Sequence, residues 1–190
     1  HLSGTGVSDY GDILLMPTNK VVFNNGADGK EGYKSKFSHD KEIAEPGYYK
    51  VHLDDTNIDV ELTVTERSGI HKYQFAEGSK QIIILDLEHR DEVLDSKLTI
   101  NSKTEISGYR FSKAWATDQR LFFDMLFSKP FTNVTFLEDK KEGKKVKAAF
   151  EFDNTTGNEI NVTIGISPVD EEGAIHNWQL EIGNKTFEEI

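Results

Sequence analysis

Cysteine is missing from this 190-residue chain. That excludes disulfides, thiolate metal sites and thiol nucleophiles together, and leaves the compartment open. Positive charge is in deficit: 22 Lys and Arg stand against 33 Asp and Glu, a formal net charge of −11. Such a surface repels a phosphate backbone, which argues against nucleic acid as a partner. Neutral sugars are indifferent to the sign. No apolar run approaches the roughly 18–20 residues of a membrane helix, so no membrane insertion is expected. No secretory leader precedes His1, and a chain opening on that residue is expected to be a trimmed piece. Proline is scarce, at four residues. With no Pro-rich linker and no internal repeat, one domain over 1–190 is the simplest organisation. Gly-X-Ser-X-Gly and His-Glu-X-X-His are absent too. Asp and Glu are plentiful, but no spacing singles out a catalytic pair.

What the chain does have is alternation. In "NIDVELTVTER" the apolar positions are Ile58, Val60, Leu62 and Val64, with polar residues between them. A period of two marks a half-buried strand. "YYKVHL" precedes it across the turn "DDTN", and Ile70 to Phe75 follows with His71, Tyr73 and Phe75 on one face. "QIIILDL" is apolar on both faces, which predicts a central strand. "KLTI", "EISGYRF", "RLFFDMLF", "KVKAAFEF" and "EINVTIGI" continue the pattern, separated by Gly, Asn and Asp. Strands at this spacing predict an all-β, antiparallel two-sheet sandwich. One segment breaks the period. In "SPVDEEGAIHNWQLEI" Ser167 is placed to cap a helix with Pro168 at its first position, and Ile175, Trp178 and Ile182 share a helical face. A short C-terminal helix is expected over about 168–182.

Several residues invite a chemical reading. The opening "HLSGTGVSDYGD" has the glycines of a phosphate loop but no Lys, and Asp9 and Asp12 would repel the ligand, so turn chemistry accounts for it better. His39, Asp40 and Glu42 lie close in sequence, but His39 and Glu42 share a face only on a helix, so a solvated loop competes with a metal site. "EHRDE", Glu88 to Glu92, reads as a salt-bridged strand end. His71, on an apolar face, reads as a hydrogen-bonded core or interface histidine. Trp115, among small and polar residues between two strands, suits a sugar-stacking aromatic or a local apolar plug equally.

Five stretches together resemble a known family: "HLSGTGVSDYGDILLMP", "KSKFSHDKEIAEPGYYKVHLDDTNIDVELTVTERSGIHKYQF", "IIILDLEHRDEVLDSKLTI", "GYRFSKAWATDQRLFF" and "VTIGISPVDEEGAIHNWQLEI". They are similar to the N-terminal domain of the bacterial exo-α-mannosidases of glycoside hydrolase family 92, from His1 to Ile182. The resemblance implies a two-sheet super-sandwich, followed in the parent enzyme by linker helices and an (α/α)6 barrel. It implies inverting, calcium-dependent removal of α-mannose, α-1,2-mannosidase-like, from mannose-rich glycans. Both catalytic carboxylates and most calcium ligands would belong to the barrel. No catalytic or metal residue is therefore expected here, no cofactor in this fragment, and no activity from it alone.

The same resemblance assigns this chain an accessory task, shaping the sugar pocket and packing on the barrel. His1, Ser3 and Thr5 would offer donors and acceptors to mannose hydroxyls, Gly4 and Gly6 would let backbone approach, and Trp115 would line the pocket or the domain interface. It also implies a bacterial protein that is secreted, periplasmic or on the cell surface. Sheet edges or an apolar face should be left uncovered where neighbouring parts are cut away. The competing class is a free-standing carbohydrate-binding or adhesion module, and a third reading is an independent hydrolase.

Overall fold

A computed structural model describes residues 11–190. In chain order the strands are β1 (Leu14–Thr18), β2 (Glu42–Glu45), β3 (Tyr48–Leu53), β4 (Ile58–Val64), β5 (Ser68–Gln74), β6 (Gln81–Asp86), β7 (Glu92–Ile100), β8 (Glu105–Lys113), β9 (Gln119–Phe127), β10 (Phe131–Phe136), β11 (Lys147–Phe152) and β12 (Glu159–Ser167); helix α1 (Glu171–Glu181) follows. They form a four-stranded sheet, β1-β6-β11-β10, and an eight-stranded sheet, β2-β3-β4-β5-β12-β9-β8-β7. Every pairing is antiparallel. The expected all-β super-sandwich with a C-terminal helix is what the chain forms.

The alternation sets the layers. Ile58, Val60, Tyr73, Phe75, Ile106, Phe123, Met125, Ile160 and Val162 of the large sheet meet Leu15, Ile83, Leu85, Ala148 and Phe150 of the small one in a continuous core. Strand β6 is buried throughout. Its second face, Ile82 and Ile84, is covered by Tyr33, Val22 and Phe23 from the segment between β1 and β2, so the doubly apolar run has a partner on each side. Strands β2 and β10, which the alternation did not single out, pair on one side only among the described residues. The outer edge of β7 is instead covered by the β10–β11 connection: Leu98 N–H donates to Lys141 O and Gly143 N–H to Ser96 O. A blunted edge of this kind resists further strand pairing.

Helix α1 starts later than expected. Ser167 is still paired with Phe122 in the sheet, and its hydroxyl accepts from Val169 N–H at 3.1 Å. The cap is Asp170, whose carboxylate accepts from Gly173 N–H at 2.7 Å. The buried face overlaps the expected one in part: Ile182, just past the helix, is buried and Trp178 is half-buried against the sheet, but within the helix the buried residues are Ala174 and Asn177, and Leu180 is exposed. Asn177 donates to Ile166 O at 2.8 Å, so a polar side chain occupies the interface without an unmet hydrogen bond. Glu181 secures the far end by accepting from Arg67 Nε at 2.8 Å and from the Thr65 hydroxyl at 2.6 Å.

The helix lies directly on Gly165 of β12. A Cβ there would stand 2.1 Å from Ala174 O, a backbone atom. Gly165→Ala is therefore expected to lift α1 and destabilise the fold by about 2–3 kcal/mol. Urea unfolding followed by tryptophan emission measures it, and a change under about 0.5 kcal/mol, the scale of an ordinary surface substitution, would contradict the contact.

Candidate functional site

His1, Ser3, Gly4, Thr5 and Gly6 lie outside the described residues. The chain is described from Gly11 onward, and the first polar side chain after that is tied down firmly. Asp12 is buried, and its Oδ1 accepts from Arg110 Nη1 at 2.8 Å. Its Oδ2 accepts from Gln119 Nε2 at 2.6 Å, and Ser112 Oγ lies 3.4 Å from Oδ1. Burial pushes the Asp12 carboxyl above its ordinary range, against the pull of Arg110.

Arg110 sits in the core phase of β8, alternating with Ile106, Gly108 and Ser112, all buried. Nε donates to Leu87 O at 2.8 Å, Nη2 donates to His89 O at 2.8 Å, and Nη2 also pairs with Asp91. The turn from β6 to β7 is held from its other side by Asp86, whose Oδ1 accepts from the N–H groups of Glu88 and His89 at 2.8 and 3.1 Å. Between these clamps Arg90 takes φ 137°, a region non-glycine residues rarely occupy. Burial lowers the His89 imidazole below its ordinary value. Trp115 lies in the β8–β9 connection and is 81% exposed. Strand directions put Asp12, the 87–91 turn and the Trp115 connection at one end of the sandwich.

The "EHRDE" reading holds in kind but not in depth. Glu88, part-exposed, pairs with exposed Lys145 and with largely buried Lys147, whereas the Asp91 side chain is only 4% exposed. Sequence reasoning missed the Asp12–Arg110–Asp91 triad. The sequence carried no signal for it: Arg110 shares its face of β8 with Gly108 and Ser112, while the apolar Tyr109 and Phe111 lie on the other, less buried face.

His71 is the hydrogen-bonded histidine expected: its Nδ1 lies 2.7 Å from the Tyr73 hydroxyl, and burial pushes its pKa down to about 3. A single 3-10 turn over His39–Lys41 does bring His39 Nδ1 to within 2.5 Å of Glu42 Oε2. Among the described residues no group of three or more His, Asp or Glu converges as metal ligands. A calcium ion takes 6–8 oxygen ligands, and no cluster of carboxylates among the described residues supplies them. Among the described residues the most perturbed carboxyl is Asp124, which burial pushes up to about 6. It is fully enclosed by the sheet and α1, out of reach of a substrate.

Solved glycoside hydrolases contain this domain. A family 92 α-mannosidase from Bacteroides thetaiotaomicron, solved with mannoimidazole, is 34% identical at a TM-score of 0.88, covering 100% of this chain and 27% of its own. A second family 92 glycosyl hydrolase, ccman5, is 28% identical at a TM-score of 0.83, over 98% of this chain and 27% of its own. An inverting family 92 mannosidase from Bacteroides thetaiotaomicron VPI-5482, at 20% identity and a TM-score of 0.77 over 93% of this chain and 24% of its own, shares the fold. The sequence model of the Glycosyl hydrolase family 92 N-terminal domain matches residues 1–167. The chain belongs to that family, and it spans 27% of the length of the first of these α-mannosidases. No curated protein sequence matches it.

Proposed function

We propose that this chain serves as the accessory N-terminal domain of an inverting, calcium-dependent exo-α-mannosidase acting on mannose-rich glycans, with α-1,2-linked mannose as the preferred end group. The two reacting carboxylates and most of the calcium ligands stand on the catalytic barrel. When bound, calcium would help hold and distort the mannose there. The task of this domain is to pack on the barrel and complete the outer wall of the sugar pocket with His1, Ser3, Gly4, Thr5, Gly6 and Trp115. The enzyme works outside the cytoplasm, where such glycans are met.

The observation that carries this reading is the bond from Gln119 to Asp12. It ties Asp12, which follows the opening loop in sequence, to the first residue of β9, just after the connection bearing Trp115, and this supports reading the two sugar-contact candidates as parts of one wall. A wall that contributes half a site should bind sugar weakly by itself. Calorimetric titration of the 190-residue chain with α-1,2-mannobiose is expected to give no measurable heat of binding, and hydrolysis of an aryl α-mannoside is expected to be undetectable. In the full-length enzyme Trp115→Ala should raise KM several-fold, about the 0.5–1.5 kcal/mol of one lost aromatic contact. The 81% exposure of Trp115 favours a second reading, a self-sufficient carbohydrate-binding module. Saturable binding by the chain alone would establish that reading and overturn the first.

A further inference from the structure

Arg110 heads the largest fully buried side chains of the described residues, and it is charged. Buried ion pairs are poor stabilisers, because a well-packed apolar replacement is often as stable or more so. The inward face of β8 would accept leucine by pattern. What an apolar side chain cannot supply is direction. The planar guanidinium sends donors to four acceptors: Asp12, Leu87 O, His89 O and Asp91. Asp12 then holds Ser112 and Gln119, which flank the Trp115 connection. Three chain segments remote in sequence are thus referenced to one rigid group. The strained φ of Arg90 lies inside the same clamp, and strain of this kind persists only where surrounding contacts over-determine the backbone.

We propose that Arg110 is a positioning residue for sugar binding: it locks the segment after the opening loop, the 87–91 turn and the Trp115 connection into one rim, and touches no sugar itself. The inference rests on reading the opening loop and Trp115 as pocket wall. A lysine at 110 keeps the charge but offers a flexible point of contact in place of a fork, so the rim loosens while the ion pairing partly survives.

The test uses the full-length enzyme that carries this domain, with an aryl α-mannoside as substrate. Arg110→Lys is expected to raise KM about tenfold with kcat nearly unchanged, the signature of lost positioning in binding and not in chemistry. Amide exchange at Glu88–Asp91 and Ala114–Asp118 should accelerate together in the same variant. Ile58→Ala, a cavity in the core far along the sandwich, controls for lost stability and should leave KM alone. Gln119→Ala, which cuts only the Asp12 tie, carries the test if Arg110→Lys fails to fold, and is expected to raise KM about threefold. His1→Ala and Thr5→Ala report on the underlying reading. If they leave KM unchanged, that reading falls and this inference with it. If they raise KM while Arg110→Lys and Gln119→Ala do not, or if Ile58→Ala raises it equally, positioning by Arg110 alone is overturned.

Discussion

Asp86→Ala is expected to destabilise the chain by about 3–5 kcal/mol, the range for removing one partner of a buried ion pair. Asp86 is 1% exposed and ends β6, one of the two inner strands of the small sheet. Its Oδ2 accepts from Lys147 Nζ at 2.9 Å and from the Tyr33 hydroxyl at 2.7 Å, while Oδ1 takes the two N–H groups of the following turn. Removing the carboxylate leaves an ammonium, a phenol and two amides with partners missing in a poorly hydrated corner. Lys147 keeps Glu88 at 3.0 Å and Phe23 O at 3.3 Å, but burial favours its neutral form. In the intact protein Asp86 and Glu88 outweigh that burial and hold its pKa above the ordinary value. The Tyr33 phenol is held up by burial and by the same carboxylate.

Loss of Asp86 should also release the covering segment. Tyr33 is the anchor by which residues between β1 and β2 lie over Ile82 and Ile84. Asp86→Leu combined with Lys147→Met is expected to recover much of the loss, because an apolar pair leaves less charge unpaired. Urea unfolding of Asp86→Leu, Lys147→Met and the double variant gives the coupling energy directly. A cost below about 1 kcal/mol for Asp86→Ala, the scale of a single neutral hydrogen bond, would mean that the network is ornamental.

This corner shows what the sequence does and does not disclose. The period-two runs predicted most of the strands and their inward faces, because burial on one side of a pleated strand leaves a direct trace in the order of residues. The one run apolar on both faces, "QIIILDL", predicted a central strand. The trace fails where polar groups are buried. Asp86, Asp91, Asp12 and Arg110 look in one dimension like surface charges, since the neutralising partner of each lies on another strand or loop. The helix cap was misplaced for a related reason: Ser167 has cap chemistry, but pairing in β12 commits its backbone to the sheet before the helix can begin. Strand β10 escaped notice because "FTNVTF" is an edge with half-exposed Val134 and Phe136, where alternation is weak. Of the candidate site, residue types were legible and mutual placement was not. The tie from Asp12 to Gln119 spans 107 positions.

The second large effect concerns pH, and it runs against the usual direction for a carboxylate. Asp124 lies on the outer face of β9 beneath α1. Its Oδ1 accepts from Trp178 Nε1 at 2.8 Å, and its Oδ2 is buried without a partner. The charged groups that bear on it are both acids, Glu105 from β8 and Glu171 from α1, and Glu171 is occupied by the Ser107 hydroxyl at 2.5 Å. Across β12 it faces Gly165. Burial is the main cause that raises its pKa to about 6, the two acids add to it, and the Trp178 hydrogen bond opposes it. The folded value is above the unfolded one, so the favourable contribution is complete below about pH 4 and is lost as pH rises through about 6. A rise from 3.8 to about 6 corresponds to about 3 kcal/mol between the two limits.

Asp124→Asn removes the titration while keeping an acceptor for Trp178. The variant is therefore expected to be more stable than the parent near pH 8 by about 2–3 kcal/mol, with the difference vanishing near pH 4. Carboxylates whose folded pKa is depressed, such as Glu181 and Asp153, push total stability the other way as pH falls. The difference between the two proteins isolates Asp124, because those groups are common to both. The chain has two tryptophans, so Trp115→Phe leaves Trp178 as the reporter. Its emission should titrate with a midpoint near 6 in the Asp124 background and stay flat in Asp124→Asn. A stability difference that does not change between pH 4 and 8 would show that Asp124 is already solvated in the folded protein. It would follow that α1 is not seated on β9 by the Trp178 hydrogen bond.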